Sequence, residues 1–253
     1  WYAPNNAWLV VVGDVDHQAV FELARQHYGP IPARELPARR IASEPAQRGP
    51  RHTMVEAPAE LPYVAMAWHA PALRDPAADR EAYALDVLAA ILAGYDGARL
   101  PRTLVRERRL AVSASAGYGG SGRGPALFYL DGAPAPGHQK AELEAALLEE
   151  IARIAEHGVS ADELRRVKAQ AVAAQVYKRD SLMGQAMEIG FLEAAGLSWR
   201  DDETLLEGLR SVTAEEVQEV ARRVFSERTQ STARLRPLPM EQRPQRALPG
   251  LRH

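Results

Sequence analysis

Apolar, β-branched runs near the start of the chain predict β-strands. Residues 8–12 read WLVVV, which is typical of a buried strand. Residues 51–57 and 63–70 are two further strand candidates, and Pro58 and Pro62 separate them. The early part of the chain is therefore expected to contribute at least three strands.

Alternation of apolar and small residues between positions 110 and 118 predicts a half-buried strand. The glycine-rich stretch 119–124 and the apolar stretch 126–131 follow, so a β-hairpin is expected here. Residues 229–235 are the candidate for a last strand. The face predicted to be buried at 110–118 consists of Leu110, Val112, Ala114, Ala116 and Tyr118.

Helical spacing of apolar residues accounts for the segments between these strands. A helix is predicted to start after Asp16, a candidate N-cap residue, and to end at Gly29. A second helix is predicted from Asp75 to about Ala93, and a short one at 100–108.

The second half of the chain is mostly helical in pattern. An apolar stripe predicts a helix that Gly158 ends. The spacing of Ser160 and Glu163 indicates a capping box, and the helix it opens is predicted to reach about Ala195, with an interruption near Gly184 or Gly190. A second capping box at 213–216 predicts the last helix. The stripe before Gly158 consists of Leu143, Leu147, Ile151 and Ile154.

Together these elements favour an α+β fold with two layers, a largely antiparallel sheet and helices packed on one of its faces. The 253 residues suit one large domain or two small ones, and we assign residues 1–236 to one α+β domain. Residues 237–253 are rich in Pro and Arg, and a disordered tail is predicted there. Because the chain starts with Trp1 rather than Met, we expect it to be a piece of a longer protein.

Composition narrows the possible partners. The formal net charge of −2 argues against nucleic-acid binding, since phosphate contacts need a basic surface. The chain has no cysteine, which excludes disulfides and cysteine-ligated zinc. It has no apolar run long enough for a transmembrane helix, so no membrane span is predicted.

The chain lacks the residue patterns that carry hydrolytic chemistry. None of its seven histidines lies four residues from another, so no helical His pair can hold zinc. Ser121 lies in a predicted hairpin loop with no histidine near it in sequence, and a role as nucleophile is not favoured. We therefore predict no catalytic residue and no metal ligand in this chain.

Several segments in order resemble the pitrilysin/insulinase (M16) zinc metallopeptidases, a family that includes mitochondrial processing peptidase-like proteins. Residues 2–16, 62–71 and 158–168 are similar to segments of that family, as is the stretch 85–116 with its Gly-rich break and LVRERRLA run. The family's metal motif, H-x-x-E-H, is absent here. The resemblance covers roughly residues 2–236 and is to the second domain of the family's unit, which binds no metal.

This resemblance implies that the chain is the non-catalytic C-terminal domain of a zinc-dependent endopeptidase. Zinc is then expected in a missing N-terminal domain, and this chain itself would be no enzyme. The expected partners are that N-terminal domain, a second M16-like unit that closes a clamshell, and a peptide or unfolded polypeptide in the chamber between them. A periplasmic or cell-envelope location is expected from bacterial relatives. The segment that would form chamber wall comprises Arg99, Leu100, Leu104, Val105, Glu107, Leu110 and Val112.

Two of these positions separate the alternatives. In the family's substrate-clamping partner, an Arg and a Tyr are expected at the positions of Val105 and Val112, and valine cannot donate a hydrogen bond. Their loss favours the second domain of the zinc-carrying chain. The alternative is an interaction or scaffold domain of an inactive M16-like subunit, and a ligand-binding domain unrelated to proteolysis is a third possibility.

Overall fold

The computed structural model describes residues 1–38 and 45–240 and contains one five-stranded sheet with helices beside it. The strands are β1 (Arg51–Pro58), β2 (Tyr63–Ala70), β3 (Ala111–Tyr118), β4 (Ala126–Pro134) and β5 (Ser231–Leu238). The α-helices are α1 (His17–Tyr28), α2 (Arg80–Ala93), α3 (Lys140–His157), α4 (Ala161–Arg179), α5 (Leu182–Ala195), α6 (Asp202–Ser211) and α7 (Ala214–Val224).

The strand order across the sheet is β1-β5-β2-β4-β3. The β1–β5 pair is parallel, and β5–β2, β2–β4 and β4–β3 are antiparallel. Registers place Trp68 opposite Phe128 and Met66 opposite Leu130, so alternate residues of neighbouring strands fall on one buried face. The predicted largely antiparallel sheet is confirmed.

The helical layer packs against that buried face. Helix α2 lies on β3, α3 lies on β4 and β2, and α7 packs between α2 and α3. Helix α2 is apolar nearly all round because it sits between the sheet and α4, α6 and α7. The α+β architecture with helices on one face of the sheet is thus confirmed, and its core is one continuous cluster.

The strand predicted at residues 8–12 is wrong. This segment is extended, but no strand of the described residues pairs with it, and Trp8, Leu9 and Val11 are exposed. A strand needs a neighbouring strand for its backbone N–H and C=O groups. Instead, the segment lies beside α5: a methyl carbon of Val10 is 3.6 Å from the position that a Cβ atom at Gly190 would occupy.

Two helix boundaries also differ from the prediction. Helix α2 begins at Arg80 rather than Asp75, because the Asp79 carboxylate accepts hydrogen bonds from the N–H groups of Arg74 and Asp75 and holds that stretch as a turn. The helix predicted to run to Ala195 is divided between α4 and α5 at 180–181, not at Gly184 or Gly190. Ser181 starts α5 by accepting from the Gly184 N–H.

Other local predictions are confirmed. Asp16 caps α1, and the box formed by Thr213 and Glu216 caps α7 reciprocally.

The last strand extends beyond the predicted end at 235, so Pro237 and Leu238 belong to β5 rather than to a tail. The remainder of the predicted tail, 241–253, lies outside the described residues.

Candidate functional site

The segment from Arg99 to Val112 connects α2 to β3. Its helical part, Pro101–Glu107, is a π-helix, a wider coil that is uncommon and often occurs at functional sites. Leu100 and Leu104 are fully buried and Leu110 is nearly so, which places them in the core rather than on a surface. These three leucines fix the segment to the helical layer.

Arg99 joins this segment to the start of α4. Its guanidinium forms a two-bond pair with Glu163, with Nε–Oε1 and Nη2–Oε2 distances of 2.8 Å each. Both side chains are mostly buried, at 15% and 17% exposure. Glu163 therefore forms only half of the predicted capping box: the Ser160 hydroxyl accepts from its N–H, but its carboxylate binds Arg99 instead of the Ser160 N–H.

Three members of the segment differ in exposure from the leucines. Val105 is partly buried, and Val112 is half exposed. Glu107 is exposed, and its Oε1 lies 3.8 Å from Nε of Arg102. A β-bulge between Ala111 and Ser113 leaves Val112 without a partner residue on β4. The predicted alternation at 110–118 is thus wrong at its start, because this extra residue moves Val112 out of the buried row.

The second face of the sheet carries no helix among the described residues. Exposed aromatic and aliphatic side chains lie on it, including Tyr63, Leu127 and Tyr129. The strand registers bring Ala67, Tyr129 and Gly117 into one row across β2, β4 and β3. We call this surface the open sheet face; it consists of Val55, Tyr63, Ala65, Ala67, His69, Ser115, Gly117, Leu127, Tyr129, Asp131, Ser231, Ala233 and Leu235.

A cluster of polar side chains from β2, β4 and β3 lies on the open sheet face. The Tyr63 hydroxyl and the Ser115 hydroxyl both donate to Oδ1 of Asp131, the latter over 2.7 Å. Partial burial, followed by the hydrogen bond to Asp131, raises the pKa of Tyr63 to about 12. Tyr63 stays protonated at neutral pH, so its hydroxyl acts in the cluster as a hydrogen-bond donor.

No group of three or more His, Asp or Glu side chains in the described part of the chain is arranged to hold a metal ion. His138, which precedes α3, pairs with Glu142 at 3.0 Å on the surface, and His69 is the penultimate residue of β2. Ser121 borders a cavity that has no histidine in its lining. The residues present therefore do not fit a catalytic zinc site.

None of the described helices is long and apolar enough to cross a bilayer.

The cavity beside Ser121 was not anticipated from the sequence. It has a volume of about 580 Å³ and lies in the helical layer between α2, α4, α5, α6 and the β3–β4 hairpin. Asp86 of α2 borders it, and no hydrogen bond or ion pair to the Asp86 carboxylate occurs within residues 1–38 and 45–240. The available signal was one aspartate between Leu85 and Val87 in the stretch 82–93, which has no other charged residue.

Replacing Asp86 by asparagine is expected to stabilise the protein. The residues packed around the cavity partly desolvate the carboxylate, which stays open to solvent at the cavity mouth, and this desolvation raises the pKa of Asp86 above its ordinary value of 3.8. An acid with a raised folded-state pKa loses stability as pH rises from the unfolded value through the folded one. We expect Asp86→Asn to gain up to about 1 kcal/mol at pH 7, after screening by cavity water, and nothing below about pH 3.8. Urea unfolding at several pH values measures this, and an equal gain at all pH values would contradict it.

Comparison with known proteins identifies the family. Residues 1–171 match the sequence profile described as Peptidase M16 inactive domain. The zinc protease PqqE of Helicobacter pylori is 34% identical over 119 residues, which are 45% of this chain and 26% of that protein.

Solved structures share the fold. A protease from Helicobacter pylori superposes with a TM-score of 0.79 at 22% identity, covering 89% of this chain and 54% of that one. The peptidase M16 inactive domain from Pseudomonas fluorescens gives 0.72 at 18% identity, covering 92% and 54%. The first half of the periplasmic protease PqqL from Escherichia coli gives 0.71 at 16%, covering 88% and 49%.

The chain spans about a quarter of the curated relative and about half of these solved chains. The profile match, by contrast, extends over residues 1–171 of 253 and includes the segment from Arg99 to Val112. The resemblance expected from the sequence motifs is thereby confirmed. The chain belongs to the Peptidase M16 inactive domain family.

Proposed function

We propose that this chain is the non-catalytic C-terminal domain of a zinc-dependent endopeptidase, and that its open sheet face forms part of the wall of the chamber around a peptide substrate. The observation that carries the proposal is the one-sided packing of the sheet: helices cover one face and leave the other exposed. A two-layer domain with one bare sheet face suits a wall whose bare side faces an enclosed space.

The chemistry of the open sheet face supports contact with unfolded polypeptide. Leu127, Tyr129 and Tyr63 are 42%, 44% and 38% exposed, so they offer apolar area to side chains of any sequence. Asp131 and Ser115 add polar groups that can bind backbone amides. A surface of this kind binds extended chains broadly and performs no bond cleavage.

The N-terminal part of the chain supports docking on a separate N-terminal domain of the same protein. Helix α1 has no buried residue, although Phe21 and Leu23 are apolar. The extended residues 8–12 have unpaired backbone groups suited to joining a sheet outside this chain. The large apolar residues exposed in this part are Trp1, Tyr2, Trp8, Leu9, Val11, Val15, Phe21, Leu23, Tyr28 and Ile31.

Photo-cross-linking in the parent protein tests the wall assignment. A benzophenone amino acid at Tyr129, on the open sheet face, is expected to label a bound unstructured peptide. The matched control carries the same group at Tyr177, which is exposed on α4 in the helical layer, and is expected to give no more than background.

Labelling at position 177 that equals or exceeds labelling at 129 would contradict the wall assignment. That the segment from Arg99 to Val112 also forms part of the chamber wall stays a prediction. Because Leu100, Leu104 and Leu110 are in the core, that role would rest on its exposed residues, such as Val112.

The alternative is a scaffold domain in an inactive M16-like subunit. Val105 and Val112 favour the first assignment, because a clamping subunit would need hydrogen-bond donors at these positions. In either case we propose that a second M16-like unit, identical or different, completes the chamber. Zinc in the purified parent protein separates the two assignments.

A further inference from the structure

The cavity in the helical layer has the dimensions of a ligand site and is open to solvent at its mouth. Its volume of about 580 Å³ lies within the range of about 300–1,000 Å³ that is common for small-molecule pockets. It opens on the helical side of the molecule, whereas the open sheet face is on the other side. A ligand bound in it would therefore be distinct from a peptide on the open sheet face.

Aromatic rings form much of the cavity wall. Tyr83, Tyr118 and Phe191 border it, and Phe191 is 55% exposed. Two glycines make room for the tyrosines: a Cβ on Gly208 would lie 2.4 Å from the Tyr83 ring, and one on Gly120 would lie 2.4 Å from the Tyr118 ring. Burial, and then the charge of Asp86, raise the pKa of Tyr118, so its ring remains neutral and can face a cation.

The other charged groups of the cavity already have partners. Lys178 Nζ lies 3.1 Å from Glu188 Oε1, and Asp202 pairs with Arg179 at 2.9 Å. Gln175 donates to both Glu188 and Asp202. Asp86 is left as the cavity carboxylate without a partner among the described residues, and it is open to solvent through the cavity mouth.

We propose that this cavity binds a small organic monocation with an apolar body, such as an alkyl or arylalkyl amine, whose ammonium group pairs with Asp86. The carboxylate supplies a charge-assisted hydrogen bond to the ammonium group. The tyrosine and phenylalanine rings supply cation–π contact and apolar area to the same ligand. A neutral ligand would leave Asp86 unpaired, and an anion would be repelled by it.

Titration calorimetry on the chain tests this site with 2-phenylethylamine as probe, and with 2-phenylethanol as the neutral analogue of matched size. We expect saturable binding of the amine and at least tenfold weaker binding of the alcohol. Asp86→Asn is expected to weaken amine binding at least tenfold. Asp96→Asn is the control, because it removes the same charge from an exposed position beyond the C-terminal end of α2. It should leave the affinity for the amine unchanged.

Circular dichroism first establishes that both variants are folded. Amine binding that Asp86→Asn leaves unchanged would overturn the proposal, as would equal affinity for the amine and the alcohol. The absence of saturable amine binding would overturn it too.

Discussion

Trp68→Ala is expected to lower the free energy of unfolding by about 3–5 kcal/mol, the range for removing a large aromatic side chain from a packed core. Trp68 is 1% exposed, and its indole N–H donates to the Ser226 carbonyl oxygen at 3.2 Å. Its ring meets Phe225 edge-on at 5.0 Å, and Phe225 in turn meets Phe128 at 4.8 Å. The substitution would leave a cavity where the sheet meets the segment after α7, although the Ser226 carbonyl would keep its hydrogen bonds from Thr229.

Urea unfolding of the purified chain measures this effect. Trp199→Ala is the control, because Trp199 is 46% exposed and outside the core, and a loss of less than about 1 kcal/mol is expected. Equal losses for the two tryptophans would show that the aromatic cluster does not hold the sheet against the helical layer.

Arg99→Ala is expected to cost about 2–3 kcal/mol, less than for a fully buried pair because both side chains retain some exposure. It leaves the Glu163 carboxylate largely desolvated and without its cation. Glu163→Gln should cost less, since the amide oxygen of glutamine can still accept a hydrogen bond from the Arg99 guanidinium. The double variant is expected to lose less than the sum of the two, because each change removes the same interaction.

The Arg99 effect should depend on pH with a defined sign. Burial alone would raise the pKa of Glu163, but the hydrogen bonds and charge of Arg99 outweigh it and hold the pKa below the ordinary 4.5. The stabilisation is therefore fully present above about pH 4.5 and is lost as pH falls through the folded-state pKa. Unfolding curves between pH 3 and pH 7 measure it, and a difference that grows on acidification would contradict the assigned pair.

The elements that follow from local rules were predictable from the sequence. Capping residues such as Asp16 and the stripe on α3 depend on neighbours within a few positions. Two of the failures involve long-range partners. Residues 8–12 have strand-forming side chains but no adjacent strand, and Glu163 leaves its capping box for Arg99, which lies 64 positions away.

The candidate sites were less accessible to sequence reasoning. The register of β2, β4 and β3 is needed to see that Tyr63 and Ser115 meet at Asp131. The bulge at Val112 depends on how β3 pairs with β4 and leaves no mark in the alternation. Asp86 was visible as the one charged residue of the stretch 82–93, but its cavity depends on how α4, α5 and α6 pack.

Zinc content, measured on the parent protein and on this chain alone, tests most directly whether the reactive centre lies elsewhere. We expect stoichiometric zinc in the parent protein and none in residues 1–253, because the described residues offer no set of metal ligands. Tight, stoichiometric zinc in the isolated chain would contradict the account.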